Sequence, residues 1–72
     1  MVRLIIRIVP HHDGVTHSVD MYPEGNPALG TYKAYATQTE AAAAAFSVFT
    51  AVTDCGMPSE IRGYYAKPFS KN

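Results

Sequence analysis

His11, His12 and His17 are the three histidines of the chain, and their crowding is the first feature that could hold a metal ion. Imidazole binds zinc, copper and iron, but a closed site needs further donors, and Asp13 is the one clear addition. Adjacent histidines in a turn point in divergent directions. His17 lies beyond the turn, on a strand face patterned as apolar. Two solvated turn histidines and one partly buried one are therefore expected, with no metal. The single cysteine, Cys55, excludes an internal disulfide and a cysteine-based zinc site. It falls at the end of a predicted helix, where the macrodipole disfavours a thiolate, and its helical angle turns it toward the core. A buried, inert thiol is the expectation. The carboxylates Asp13, Asp20, Glu24, Glu40, Asp54 and Glu60 are scattered, and none is spaced for paired acid–base work. Phosphate-loop, nucleophile-triad and dinucleotide patterns are also missing from the sequence. The chain reads as non-enzymatic and without a cofactor.

Seventy-two residues specify one domain spanning 1–72, whose last residues, 68–72, are predicted to fray. So short a chain buries only ~60% of its unfolded surface, so its core is thin. Six Lys and Arg balance six Asp and Glu. Zero net charge argues against a general nucleic-acid binder, whose affinity comes from neutralising phosphates. No apolar run reaches the ~18 residues of a membrane span. Arg3 and Arg7 interrupt the apolar start and no small-residue cleavage site follows, so a cytoplasmic protein is expected.

The elements that must position any site read clearly. Val2 to Val9 alternates as a strand, with Val2, Leu4, Ile6 and Ile8 on one face and Arg3, Ile5 and Arg7 on the other. Pro10 should end it. Asp13-Gly14 is a hairpin signal. Val15 to Tyr22 returns, with Val15, His17, Val19 and Met21 inward and Thr16, Ser18, Asp20 and Tyr22 outward. After a Pro- and Gly-rich loop, Thr31 to Ala36 reads as a third strand, with Tyr32, Ala34 and Ala36 inward and Thr31, Lys33 and Tyr35 outward.

Thr37-Gln38-Thr39-Glu40 matches a capping box, with Thr39 as a rival cap, and the run Ala41 to Ala45 has the best helix propensity available. At 100° per residue Ala41, Ala42, Ala45, Val48, Phe49, Val52 and Cys55 share one face, opposite Ala43, Ser47, Thr50 and Asp54. Gly56 and Pro58 should stop the helix. Glu60 to Lys67 is a last strand, with Ile61, Gly63 and Tyr65 inward and Arg62 and Tyr64 outward. The fold class is α+β: an antiparallel sheet, β-β-β-α-β along the chain, packed on one amphipathic helix.

What remains for function is the sheet face away from the helix. The alternation places Arg3, Ile5, Arg7, Thr16, Ser18, Asp20, Tyr22, Lys33, Tyr35, Arg62 and Tyr64 there. The plain reading is a solvated face in which Arg3 or Arg7 pairs weakly with Asp20. The functional reading is a protein-binding surface of Arg3, Arg7, Asp20, Tyr22, Lys33, Tyr35, Arg62 and Tyr64, because Tyr and Arg are enriched at binding hot spots. The same rings could stack nucleic-acid bases.

The element order, with its Ala-rich helix Glu40-Ala41-Ala42-Ala43-Ala44-Ala45 and closing strand, resembles several small phage-encoded anti-CRISPR proteins. That resemblance covers most of the chain and is one of architecture; it carries over no functional residue. It implies a stoichiometric inhibitor that binds a bacterial CRISPR effector complex or nuclease and prevents recognition or cleavage of target DNA. Three strands followed by a helix also resemble the sheet-reading amino-terminal domains of phage-type integrases, which would make Arg3, Arg7, Lys33 and Arg62 DNA contacts. Those domains are usually basic and this chain is neutral, so nucleic acid is the less expected partner. A third expectation is a structural homodimer joined through an exposed first or third strand; the chain is otherwise a monomer.

Overall fold

The computed structural model describes residues 2–63. The rest of the predicted last strand, Tyr64 to Lys67, and the tail 68–72 lie outside the described residues. Within them the chain forms β1 (Leu4–Pro10), β2 (His17–Pro23), a short 3-10 turn (Pro27–Leu29), β3 (Thr31–Tyr35), α1 (Gln38–Asp54) and β4 (Ser59–Arg62). One four-stranded sheet, in the order β3-β2-β1-β4, carries the helix on one face. The α+β class is as the sequence indicates.

The β1–β2 hairpin closes where Asp13-Gly14 predicts. The His11 amide donates to the Thr16 carbonyl at 2.9 Å and the Gly14 amide to the His11 carbonyl at 3.1 Å. Gly14 sits at φ +74°, a conformation a β-carbon disfavours. The loop is longer than the alternation suggests: Val15, expected inward on the strand, stays in it, 56% exposed, and β2 starts at His17. Pro10 is the last rung of β1, in register with His17, rather than the residue beyond it. A strand end tolerates the missing donor.

β2 and β3 pair antiparallel, with Val19 opposite Lys33 and His17 opposite Tyr35. Opposed residues share a face, so Thr31, Lys33 and Tyr35 lie on the helix side and Tyr32 and Ala34 on the open side. This reverses the predicted sides of β3 and removes Lys33 and Tyr35 from the predicted binding face. Tyr35 instead packs against the edge of the core. The segment has tyrosines at both parities, and a one-residue shift of register exchanges the faces.

α1 crosses over the sheet from β3 at one edge to β4 at the other. A helical crossover returns the chain in its original direction, so β4 joins β1 in parallel, Ile6 beside Ile61 and Arg7 beside Arg62. The sheet is therefore mixed, antiparallel across β3-β2-β1 and parallel at β1-β4. β1 has partners on both sides and offers no edge for a dimer; among the described residues β3 is an edge strand.

The helix begins as its capping sequence predicts, at Thr37, whose hydroxyl accepts from the Glu40 amide at 3.2 Å. It ends in a Schellman arrangement: the Gly56 amide bonds the Thr53 carbonyl and the Met57 amide the Val52 carbonyl, with Gly56 at φ +87°. The core is Ile6 and Ile8 of β1, Val19 of β2, and Ala41, Ala42 and Ala45 of α1, with Val48, Phe49 and Ile61 partly buried around it. Cys55 is exposed, contrary to its predicted core position. It is the C-cap residue, where the helical projection stops applying, and the residues on either side of it are exposed as well.

Candidate protein-interaction face

Alternation along each strand brings Arg3, Ile5 and Arg7 of β1 and its approach, Asp20 and Tyr22 of β2, Tyr32 of β3, and Glu60 and Arg62 of β4 to the face away from the helix. Register then sets who meets whom. Arg7 stands between Asp20 and Arg62, Ile5 between Tyr22 and Glu60, and Asp20 beside Tyr32. Ile5 is fully buried in the middle of this array, so it is covered where the sequence expected it displayed.

The charges compensate one another. Arg3 reaches Glu24 at 3.3 Å and Glu60 at 3.1 Å, while Arg62 reaches Glu60 at 2.7 Å and Glu24 at 3.9 Å. Two guanidinium groups and two carboxylates thus close a neutral ring. Arg7 pairs with Asp20 and lies 5.6 Å from the centre of the Tyr22 ring. Each pair is weak, since the partners stay partly solvated. Their collective effect is to engage all three arginines of the face with carboxylates of the same molecule.

Of the predicted binding residues, Arg3, Arg7, Asp20, Tyr22 and Arg62 come together here. Lys33 and Tyr35 do not, and Tyr64 lies outside the described residues. Glu24, Glu60 and Tyr32 complete the face and were not among the predicted binders. Glu60 shares the strand parity of Arg62, which is a legible signal. Glu24 follows β2 in a loop, where no periodicity points to it. Its amide donates to the Arg3 carbonyl at 2.8 Å, and that bond brings its side chain to Arg3.

Between β2, β3 and the 3-10 turn the face sinks into an open depression of about 360 Å³, lined by Arg7, Asp20, Tyr22, Pro27, Gly30 and Tyr32. Gly30 allows this close approach. A β-carbon there would sit 2.8 Å from the Met21 carbonyl oxygen and 3.0 Å from the Tyr22 β-carbon. Tyr32 forms the outer wall with 72% of its surface exposed.

The histidines take separate environments. His11 Nε2 hydrogen-bonds the Ser18 hydroxyl, whereas His17 Nδ1 meets the Val15 carbonyl and its ring is buried on the helix side. Among the described residues no group of three His, Cys, Asp or Glu side chains is arranged to hold a metal ion.

Two carboxyls are held below their ordinary values. Hydrogen bonds from the Thr16 hydroxyl and from the Val15 and Thr16 amides lower Asp13 to about 2. The Arg62 guanidinium lowers Glu60. A depressed carboxyl contributes stability that is present above its unfolded pKa and lost as pH falls through the folded one. For Asp13 that window runs from 3.8 down to about 2. Thermal melts in this acid range should show wild type more stable than Asp13→Asn at pH 5, with the difference closing toward pH 2. A difference that stays constant with pH would remove the carboxylate from the account of the turn.

Comparison with known proteins returns no matching family model, no matching curated sequence and no matching solved structure. The face itself is therefore the basis for a functional reading.

Proposed function

We propose that the chain is a non-enzymatic protein-binding module acting by occupancy, which docks a protein partner on the open sheet face around Tyr22 and Tyr32. Its most concrete form, implied by the architectural resemblance to small phage-encoded anti-CRISPR proteins, is a stoichiometric inhibitor. It would act in the bacterial cytoplasm, binding a CRISPR effector complex and blocking recognition or cleavage of DNA. The observation that carries the binding reading is the combination of internally neutralised charge with an exposed tyrosine rim. The arginines are engaged by Glu24, Glu60 and Asp20, while Tyr32 stands out beside a concavity. Aromatic rims beside pockets supply anchor residues at protein interfaces. The same charge pairing weighs against nucleic acid, because an arginine held by carboxylates must be released before it can neutralise a phosphate.

The test is capture of purified CRISPR effector complexes on the immobilised chain after nuclease treatment, with wild type beside Tyr32→Ala. Wild type should retain an effector at one-to-one stoichiometry, and the variant should bind about tenfold or more weakly, the loss of one hot-spot aromatic. Because Tyr32 is exposed, the variant should melt as wild type does. Failure to hold any effector ends the inhibitor form of the proposal. Equal capture by the variant excludes this face, and capture abolished by nuclease transfers the function to nucleic acid.

A further inference from the structure

We propose that the outer edge of β3 accepts an extended, acidic segment of the partner protein as an added strand, with an apolar partner side chain beside Tyr32 and a carboxylate against Lys33. This rests on the protein-binding reading above and names the chemistry of the partner. β3 is hydrogen-bonded to β2 on one side, and among the described residues no strand lies on the other. Alternate residues of such an edge turn their N–H and C=O groups outward, ready to pair. Thr31, Tyr32, Lys33 and Ala34 are all exposed. Strand addition takes its affinity from these main-chain bonds and its selectivity from the side chains that alternate between the two faces.

Those side chains specify the occupant. Arg3, Arg7 and Arg62 are all ion-paired, whereas Lys33 has no carboxylate partner among the described residues; its Nζ lies 5.5 Å from the centre of the Tyr35 ring. A partner residue opposite Lys33 falls on the helix side, where an acid would meet that unpaired charge. A residue opposite Tyr32 falls on the open side, at the mouth of the depression. A second copy of this chain fits poorly. The strand Thr31–Tyr35 contains no Asp or Glu, so a two-fold pairing centred on Lys33 opposes two ammonium groups and no other register supplies an acid.

The probe is a short synthetic strand of threonine and valine carrying adjacent glutamate and phenylalanine, with a twin bearing lysine in place of glutamate. Both are titrated into the isotope-labelled full chain and followed by amide shifts and hydrogen exchange. The glutamate peptide should shift and protect amides of Thr31–Tyr35. Its twin should bind about two- to fivefold more weakly, the scale of one exposed cross-strand ion pair, and Lys33→Glu should reverse that order. Equal affinity for the two peptides, shifts centred away from β3, or β3 shifts produced by raising protein concentration alone would each overturn the proposal. In the effector capture, unchanged binding by Lys33→Glu would overturn edge docking and leave the binding function standing. If wild type captures no effector, the inhibitor form of that function falls, and the peptide titration still decides the edge.

Discussion

Ile6→Ala is expected to remove about 2–5 kcal/mol of stability, the range for emptying a fully buried branched aliphatic site. Ile6 has no exposed surface, and it sits in a central strand between Met21 of β2 and Ile61 of β4, beneath the alanines of α1. Three elements converge on its side chain, so the cavity left by truncation has walls that cannot all collapse inward. A domain of this length holds about 4–11 kcal/mol in total, so the loss is a large share of it. Urea unfolding should show a midpoint displaced far to lower denaturant with the slope unchanged. Val2→Ala, at a position 55% exposed, should shift it by less than about 0.5 kcal/mol. A change at Ile6 no larger than that would mean the helix does not pack over β1 as described.

The opposite error should also be costly. Ala45→Leu is expected to destabilise by about 1–3 kcal/mol, because a longer side chain must be forced into a filled site. Ala45 is fully buried and shares the core with Ile6, Ile8 and Val19. Its methyl group sets how closely α1 lies on the sheet. Ala43→Leu is the control: the same substitution two residues earlier in the same helix but on the solvated side, where Ala43 is exposed. It should leave the melting temperature nearly unchanged. If both variants melt alike, the small residues serve helix propensity alone and the close packing of helix on sheet is wrong.

These effects bear on the functional tests. With so thin a core, a face variant that unfolds the domain would imitate a binding defect. Tyr32 and Lys33 suit the tests because both are exposed and neither belongs to the core. Arg3, Arg62, Glu24 and Glu60 suit them less, since altering one leaves the others of the ring with an unmatched charge.

The sequence by itself determined the order of the elements and most of the inward faces of β1, β2 and α1. The hairpin turn at Asp13-Gly14, the threonine cap of α1, its glycine stop and the inward faces of β1, β2 and α1 depend on interactions within a few residues, so local chemistry suffices to read them. Strand order, the parallel docking of β4 and the sides of β3 were decided only by tertiary structure. For β3 the reason lies in Tyr32 and Tyr35: either parity buries one ring, so hydrophobicity cannot choose, and pairing with His17 and Val19 chooses instead. Cys55 shows the same limit at a helix end, where a projected angle outlives the helix that gives it meaning. The interaction face combines both kinds of information. Arg3, Arg7, Asp20, Tyr22 and Arg62 are legible from alternation, but the neutral ring needs Glu24 from a loop and β4 beside β1, and neither is encoded in any local pattern.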